Sequence, residues 1–477
     1  MTHDAVVVGA GPNGLSAAIE LQRAGISVLL IEANDSPGGA ARTEEATLPG
    51  FLHDIGSAVY PLGIGSPFFS SLPLQSHGLE WVHPTLPLAH PLLGSPAARL
   101  TRDLEATARR LGKDRDRYRR TFTPFVSRWD DFAQQILDSP FELPRHPGLA
   151  LRLAPFALRS TTALGQSFRT EAARALFAGN AAHAGTPLER PLTGAVAVTL
   201  MAAAHAVGWP VPRGGAGSLT RALVEYFISL GGTIETGRRV SSLGDLPSAR
   251  AVLFALTFGQ VSRIAGDSLP NGFRRGAERW RYGPGAFKVD WALDAPIPWS
   301  DPEVAKAGTV HVGGSFEEIV ASERAPWRGR VSDRPFVLLA QPSLFDPTRA
   351  PPGRHTAWAY GHVPNGWNGD LTEAIEAQVE RFAPGFRERI LSKAVWTPRR
   401  LEAWNANLIG GDVNGGALTL SQTLGPGRWP LRGWKVPGSG TPRLYVCSAS
   451  TPPGGGVHGM AGYHAARSAL RHTFDVR

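Results

Sequence analysis

Residues 4–32 read DAVVVGAGPNGLSAAIELQRAGISVLLIE, and the order of parts within them decides the fold. DAVVVG is a short apolar, β-branched run of the kind that forms a buried parallel strand. GAGPNG follows at once and sets Gly9, Gly11 and Gly14 in G-x-G-x-x-G register. LSAAIELQRAG then reads as an amphipathic helix ending at Gly25, and ISVLLIE as a second buried strand ending at Glu32. A βαβ unit of about 30 residues with an acid at its far end is the arrangement that binds a dinucleotide. Gly9 permits the tight turn, Gly11 admits a pyrophosphate against the backbone, and Gly14 allows close helix–strand packing. Pro12 and Asn13 complete the turn, where the new helix directs its free N–H groups at the anion. Glu32, followed by Ala33, is placed to accept hydrogen bonds from ribose hydroxyls. An ordinary strand–turn–helix is the alternative reading.

Outward from this unit come ANDSPGGAART at 33–43 and GFLHDIGSAVYP at 50–61. Together with GAGPNG and Glu32, the Gly38–Gly39 turn, Arg42–Thr43 and the D-x-G turn of Asp54 and Gly56 resemble the flavin-binding start of the phytoene desaturase and amine oxidase superfamily. The resemblance implies FAD. It places Gly38, Gly39, Ala41 and Arg42 along the pyrophosphate and the flavin edge, with Gly56 and Ser57 in the next turn. Small residues and an arginine suit close backbone approach and phosphate pairing, although Arg42 stands two positions later than in the common spacing. No second strand–glycine turn–helix unit follows. The nearest stretch, RGGAGSLTRAL at 213–223, has Thr220 where the third glycine would stand. With Cys447 as the sole cysteine, a redox pair and a multi-cysteine metal site are both excluded, and no metal site is expected.

The segment 212–243 reads as a turn, an amphipathic helix, a Gly–Gly stop and two short strands. It is similar to the returning segment of the same superfamily, which implies that Val240 meets the adenine and that AVLFAL at 251–256 is the next strand. Residues 103–137 read as two helices of about four turns each. Ala195–Val207 reads as a buried helix, being too short to cross a bilayer. Between 143 and 170, Arg145, Arg152, Arg159 and Arg169 occur among leucines with no acid between Glu142 and Glu171. This describes either a face resting on an anionic membrane or a solvated basic face, with Pro147 and Pro155 expected to interrupt the helix. In YGPGAFKVDWALDAPIPW at 282–299, Lys288 stands inside an alternating apolar strand. The resemblance implies a lysine holding a water against flavin N5; an edge-strand lysine reaching solvent is the other reading.

Near the C-terminus, GGDVNGG at 410–416 precedes a Pro-rich loop, and RLYVCSASTPPGGGVHGMAGYHAARSAL follows at 443–470. This reads as a buried strand, a turn of prolines and glycines, and a helix whose start presents N–H groups to an electron-rich flavin edge. It closely resembles the C-terminal flavin motif of phytoene-dehydrogenase-like proteins, including the branch called pyridine nucleotide-disulphide oxidoreductase domain-containing protein 2. Ser448, Gly456, Val457 and His458 are then the flavin neighbours, and His458 a candidate chemical participant beside Lys288. Ser448–Ala449–Ser450 replaces the Gly–Asp of many relatives. The resemblance is strong over the nucleotide-binding segments, about half the chain, and loose elsewhere.

These readings define an α/β fold: a discontinuous Rossmann-type FAD-binding domain of the glutathione-reductase-like βαβ kind, with a mixed β-sheet and helical substrate domain. FAD-binding segments are expected at 1–75, 205–262 and 435–477, and substrate-domain segments at 76–204 and 263–434. The chain carries a formal charge of +9 with only 19% charged residues, and no nucleic-acid-binding motif accompanies that charge. No charged leader precedes the first strand, so a cytoplasmic protein is expected, with the inner membrane face the setting if 143–170 meets lipid. The expected function is an FAD-dependent oxidoreductase, a dehydrogenase or desaturase passing hydride from a small apolar, polyene or lipid-like substrate to flavin N5, with oxygen or a quinone as acceptor. A flavin amine oxidase, a flavin-dependent isomerase or saturase, and a non-catalytic lipid- or partner-binding protein on the same fold are the alternatives.

Overall fold

The computed structural model of the chain describes residues 3–139, 142–423 and 433–476. The Pro-rich loop expected after Gly416 falls largely outside them. The strands in chain order are β1 (Ala5–Val8), β2 (Val28–Ile31), β3 (Thr43–Glu45), β4 (Leu52–Asp54), β5 (Trp81–Val82), β6 (Leu86–Leu92), β7 (Ser95–Leu100), β8 (Val211–Pro212), β9 (Thr233–Glu235), β10 (Ala251–Phe254), β11 (Gly285–Leu293), β12 (Ala307–Val312), β13 (Val337–Ala340), β14 (His355–Val363), β15 (Ile390–Trp396) and β16 (Arg443–Val446).

Three distant stretches of chain build a five-stranded, wholly parallel sheet in the order β16-β10-β1-β2-β9. Its central strands are apolar on both faces because helices cover both. The helix Pro12–Arg23 lies on one side between Ala216–Ser229 and Met460–Ala469. This first helix is less amphipathic than its sequence predicts: every residue from Gly14 to Leu21 is buried, since a partner helix flanks it on each side. Gly462 makes one of those contacts possible, because a Cβ there would stand 1.9 Å from the Asn13 carbonyl oxygen.

The second sheet has seven strands in the order β15-β11-β14-β13-β12-β6-β7, antiparallel except between β12 and β6. Alternation along these strands divides its residues between two environments. One face, with Phe287, Val289, Trp291, Val337, Leu339 and Ala359, packs against Ile375 and Val379 of the helix Thr372–Glu380. The other face is ordered in cross-strand rows: Lys288 beside Tyr360, Leu338 and His311, and Asp290 beside Trp358, Ala340 and Thr309. Helices between 104 and 206 pack across the far part of this face into their own aromatic-rich core.

Four sequence expectations are corrected here. Residues 104–137 form three helices, Leu104–Arg110, Arg115–Val126 and Trp129–Leu137, because a turn at Gly112–Asp114 divides the first stretch. Only one strand, β9, follows Gly231–Gly232; the chain at Arg238 instead donates its N–H to the Glu32 carbonyl. Pro155 stands inside the helix Pro147–Leu158 without ending it, and Pro147 starts it, where the missing N–H costs nothing. Lys288 is not on an edge strand: β11 is paired on both sides, by β14 and β15.

Candidate active site

A cavity of about 440 Å³ runs between the two sheets. One end begins where β1 meets the helix Pro12–Arg23. Gly9, Gly11, Pro12, Asn13 and Gly14 all line it. Gly9 has φ +99°, a conformation that favours glycine. A Cβ on Gly14 would lie 1.8 Å from the Gly9 carbonyl oxygen, so the helix can approach the turn only without a side chain. Gly39 crosses the turn so closely that its Cβ would stand 2.9 Å from Gly11 Cα. The result is a bare backbone cradle at a helix N-terminus, the geometry an anionic phosphate group requires.

Glu32 closes this end. Its Oε2 accepts the Ala10 N–H at 2.8 Å, and Oε1 accepts the Asn34 N–H at 2.9 Å and the Asn34 amide at 2.8 Å. These bonds hold the carboxylate in place and leave a lone pair on Oε2 for a hydroxyl. Ala33 and Val240 complete the wall with Arg238 and Arg239.

Midway, Gly56, Ser57, Lys288, Ser448, Gly456 and Val457 line the cavity. Ser448 sits at the end of β16, where its Oγ accepts the Ser450 N–H. Ser450 Oγ donates to the Gly415 carbonyl at 2.7 Å and ties the GGDVNGG turn to the C-terminal segment. Asp412 of that turn also lines the cavity, accepting N–H bonds from Gly283 and Asn414 at 2.8 Å each. Burial raises its pKa from the ordinary carboxylate value, against the pull of those N–H groups.

Lys288 is nearly inaccessible to solvent and is paired with Asp290 through both carboxylate oxygens. The Lys288 ammonium also lies 5.5 Å from the centre of the Trp358 ring. Burial alone would raise the Asp290 pKa, but the Lys288 ammonium and His53 more than offset it and hold the carboxyl below its usual range. His53 Nδ1 stands 3.5 Å from Asp290 Oδ1 on the far side.

Four sequence-expected site residues lie outside the cavity wall. Gly38 and Ala41 shape the turn behind it: the Gly38 N–H bonds the Ala10 carbonyl, and the Ala41 N–H bonds Gly38. Arg42 turns away, its guanidinium 4.2 Å from the centre of the Trp404 ring and donating to the Trp404 carbonyl. Burial lowers its pKa, against the neighbouring Glu44. The His458 ring is buried in the core, where Nδ1 accepts the Met460 N–H at 3.1 Å and caps the last helix. Burial pushes its pKa down to about 4. That helix begins at Met460, beyond the glycine turn, so its first N–H is taken by His458.

The apolar end belongs to residues the sequence reading missed. Leu62, His183, Leu200, Trp209, Leu338 and Tyr360 line it, with Trp358 stacked beside Tyr360 at 6.1 Å and 14°. Trp358 and Tyr360 carried a period-2 signal in HTAWAYGHV; His183, at the end of a helix, carried none.

A bare glycine cradle, a buried carboxylate and an apolar chamber share one cavity in a two-sheet fold of the dinucleotide-binding type. The family model for an NAD(P)-binding Rossmann-like domain matches residues 7–69. The chain is 27% identical to the mouse (Mus musculus) pyridine nucleotide-disulfide oxidoreductase domain-containing protein 2, over 98% of this chain and 93% of that protein. It is 26% identical to a phytoene desaturase (lycopene-forming) of Pseudescherichia vulneris, over 98% of both. A solved putrescine oxidase with putrescine bound shares the fold, with a TM-score of 0.63 at 18% identity, covering 100% of this chain and 99% of that one.

Proposed function

We propose that this chain is an FAD-dependent oxidoreductase that dehydrogenates an apolar, polyene- or lipid-like molecule. The observation that carries the reading is the continuity of one cavity from the phosphate cradle at Gly11 and Gly39 to the apolar chamber at Leu200, Leu338 and Tyr360. FAD fits the residues present: Gly9, Gly11 and Gly14 would hold its pyrophosphate, Glu32 its ribose, Val240 its adenine, and Gly56, Ser57, Ser448 and Val457 its ring system. Bound there, FAD supplies a two-electron hydride acceptor. The chain's own residues do the rest. The apolar walls exclude water and align the substrate, and Lys288, held by Asp290, places an ammonium–carboxylate pair at the cavity wall. Segments 1–75, 205–262 and 435–477 are taken as the cofactor-binding unit and 76–204 and 263–434 as the substrate-binding unit, with oxygen or a quinone as the final acceptor.

Among the described residues, the carboxylates lining the cavity are Glu32 and Asp412, and Asp412 is engaged by backbone N–H groups. A protonated amine therefore meets no free counter-charge in the chamber, which ranks apolar alkenes ahead of amines as substrates. The test is the visible spectrum of the purified protein before and after anaerobic photoreduction, followed by anaerobic addition of candidate substrates. Two flavin bands that bleach with an apolar alkene support the reading. A colourless protein that takes up no added FAD overturns it and favours a binding protein on the same fold.

The face at 143–159 is proposed to rest on an anionic membrane. Leu143, Leu151 and Leu158 are 91%, 74% and 68% exposed, beside the exposed Arg152 and Arg159. Apolar side chains flanked by uncompensated arginines suit lipid headgroups; Arg145 is already paired with Asp138 at 2.6 Å. No helix among the described residues is long and apolar enough to cross a membrane.

A further inference from the structure

Among the described residues, His183 Nδ1 and Tyr360 Oη in the chamber have no hydrogen-bond partner, and the fully buried Trp358 Nε1 and Thr309 Oγ1 of the same cavity wall have none either. His183 lies deep in the molecule yet keeps accessible surface, and that surface is cavity wall. Its Nε2 is 3.0 Å from Nε2 of His311, so one proton lies between the two rings. His311 is fully buried, and its Nδ1 has no partner. It is pressed against Gly179, where a Cβ would stand 2.7 Å from that nitrogen. An orphaned buried N–H is rarer in folded proteins than an orphaned lone pair. His311 therefore carries its proton on Nε2 and donates it to His183 Nε2. The proton of His183 is then on Nδ1, which makes no hydrogen bond among the described residues. Burial pushes the His183 pKa down to about 3, with the nearby His362 adding to the effect, so the ring is a neutral donor at working pH. Tyr360 repeats the pattern. It lines the same chamber, and its hydroxyl has no hydrogen-bond partner among the described residues. Leu338 separates Tyr360 from His311 in the cross-strand row, so these two residues stand about two strand spacings, roughly 10 Å, apart.

We propose that the chamber selects an oxygen-bearing apolar molecule, of the long-chain ketone, aldehyde or alcohol class, whose oxygen accepts a hydrogen bond from His183 Nδ1–H or Tyr360 Oη–H. This rests on the reading that the apolar end of the cavity receives the substrate. A pure hydrocarbon would leave both donors without water or partner, and a buried donor left unpaired is costly. A site built to bond a substrate oxygen discriminates against the analogue lacking it. His311 is the positioning residue: it fixes the tautomer and the plane of His183.

The test is displacement of diphenylhexatriene fluorescence from the purified, FAD-loaded protein by a linear alkane and by the methyl ketone of the same length. The ketone is expected to displace the probe at about tenfold lower concentration, the value of one hydrogen bond to a desolvated donor. His183→Phe and Tyr360→Phe should each shrink that ratio, while His183→Asn, which keeps a donor, should retain most of it. Circular dichroism and flavin content confirm that each variant is folded. Equal displacement by alkane and ketone in the unaltered protein overturns the inference, as does a ketone preference that survives in both phenylalanine variants. Because displacement is read without turnover, a protein that prefers the ketone but oxidises nothing upholds this inference while overturning the oxidoreductase reading.

Discussion

Lys288 and Asp290, two positions apart on β11, point to the same side of the sheet and close an ion pair there with side chains only 4% and 0% exposed. The strand is paired on both edges, so neither group can swing out to solvent. Breaking such a pair from one side strands the other charge. Asp290→Asn is expected to destabilise the protein by about 3–5 kcal/mol, and adding Lys288→Met should recover much of that loss. Urea unfolding of the single and double variants checks this. A single variant as stable as the unaltered protein would mean the pair is not closed.

Acid should destabilise the protein through its buried histidines. Burial holds His183 at about 3 and His90, His205 and His458 at about 4, against about 6.5 for an unfolded histidine. Between these limits the unfolded chain binds more protons, so stability is fully present above about pH 6.5 and falls as pH drops toward 4. Each group contributes a slope of at most about 1.4 kcal/mol per pH unit. His362, raised by Glu323, acts in the opposite sense and partly offsets them. Thermal melts at pH 7.5 and pH 5 should differ by many degrees. Equal midpoints would mean these rings are not buried as described.

Two glycines in helices should respond oppositely to alanine. Gly14→Ala forces a methyl group into the Gly9 carbonyl, costing about 1–3 kcal/mol or more and displacing the turn proposed to hold phosphate. Gly259→Ala, in the helix Phe258–Ala265 with nothing within 4 Å of the added carbon, should be neutral or stabilising by up to about 1 kcal/mol. Flavin content measured by absorbance, with melting temperature beside it, separates the two.

Glu32→Gln should weaken FAD binding by about tenfold to a hundredfold, the worth of hydrogen bonds to a charged acceptor. Fluorescence titration of the deflavinated protein measures it. Affinity within twofold of the original would place the ribose elsewhere.

Vesicle pelleting reads the 143–159 face. Binding to anionic vesicles at low salt should fall when Arg152 and Arg159 are both changed to Glu, and separately when Leu151 and Leu158 are changed to Ser. Neutral vesicles should bind weakly throughout. Absence of low-salt binding in the unaltered protein would end the membrane proposal.

The glycine turn and Glu32 were legible as one cavity-lining unit because they are local. Gly9, Gly11, Gly14 and Glu32 lie within 24 residues, and turn, helix start and strand end are each fixed by near neighbours along the chain. The same locality explains Ala5–Val8, Val28–Ile31 and Ala251–Phe254, whose apolar runs match the strands observed. Lys288 stood out as a charge in an apolar strand, but whether it faced solvent depended on β14 and β15, which lie 62 or more residues away along the chain. Arg42 and His458 show the reverse error. The resemblance makes them cofactor neighbours, yet Trp404 and the Met460 N–H, neither implied by the motif, engage Arg42 Nη2 and His458 Nδ1.

By itself, then, the sequence determined the dinucleotide unit, the return of the chain to the same sheet and the position of an unusual lysine, because each depends on residue order over a few turns or one strand. Tertiary structure alone decided the rest. It assembled Lys288 with Asp290 and His53, set Tyr360 beside Leu338 and Trp358 beside Ala340, and brought His183, at the end of the helix Glu171–Ala182, against His311 on β12. Those relationships arise from cross-strand register and helix packing, which join residues up to 237 positions apart. A pattern read along one strand shows which face a side chain takes. It does not show what the opposite wall places against it.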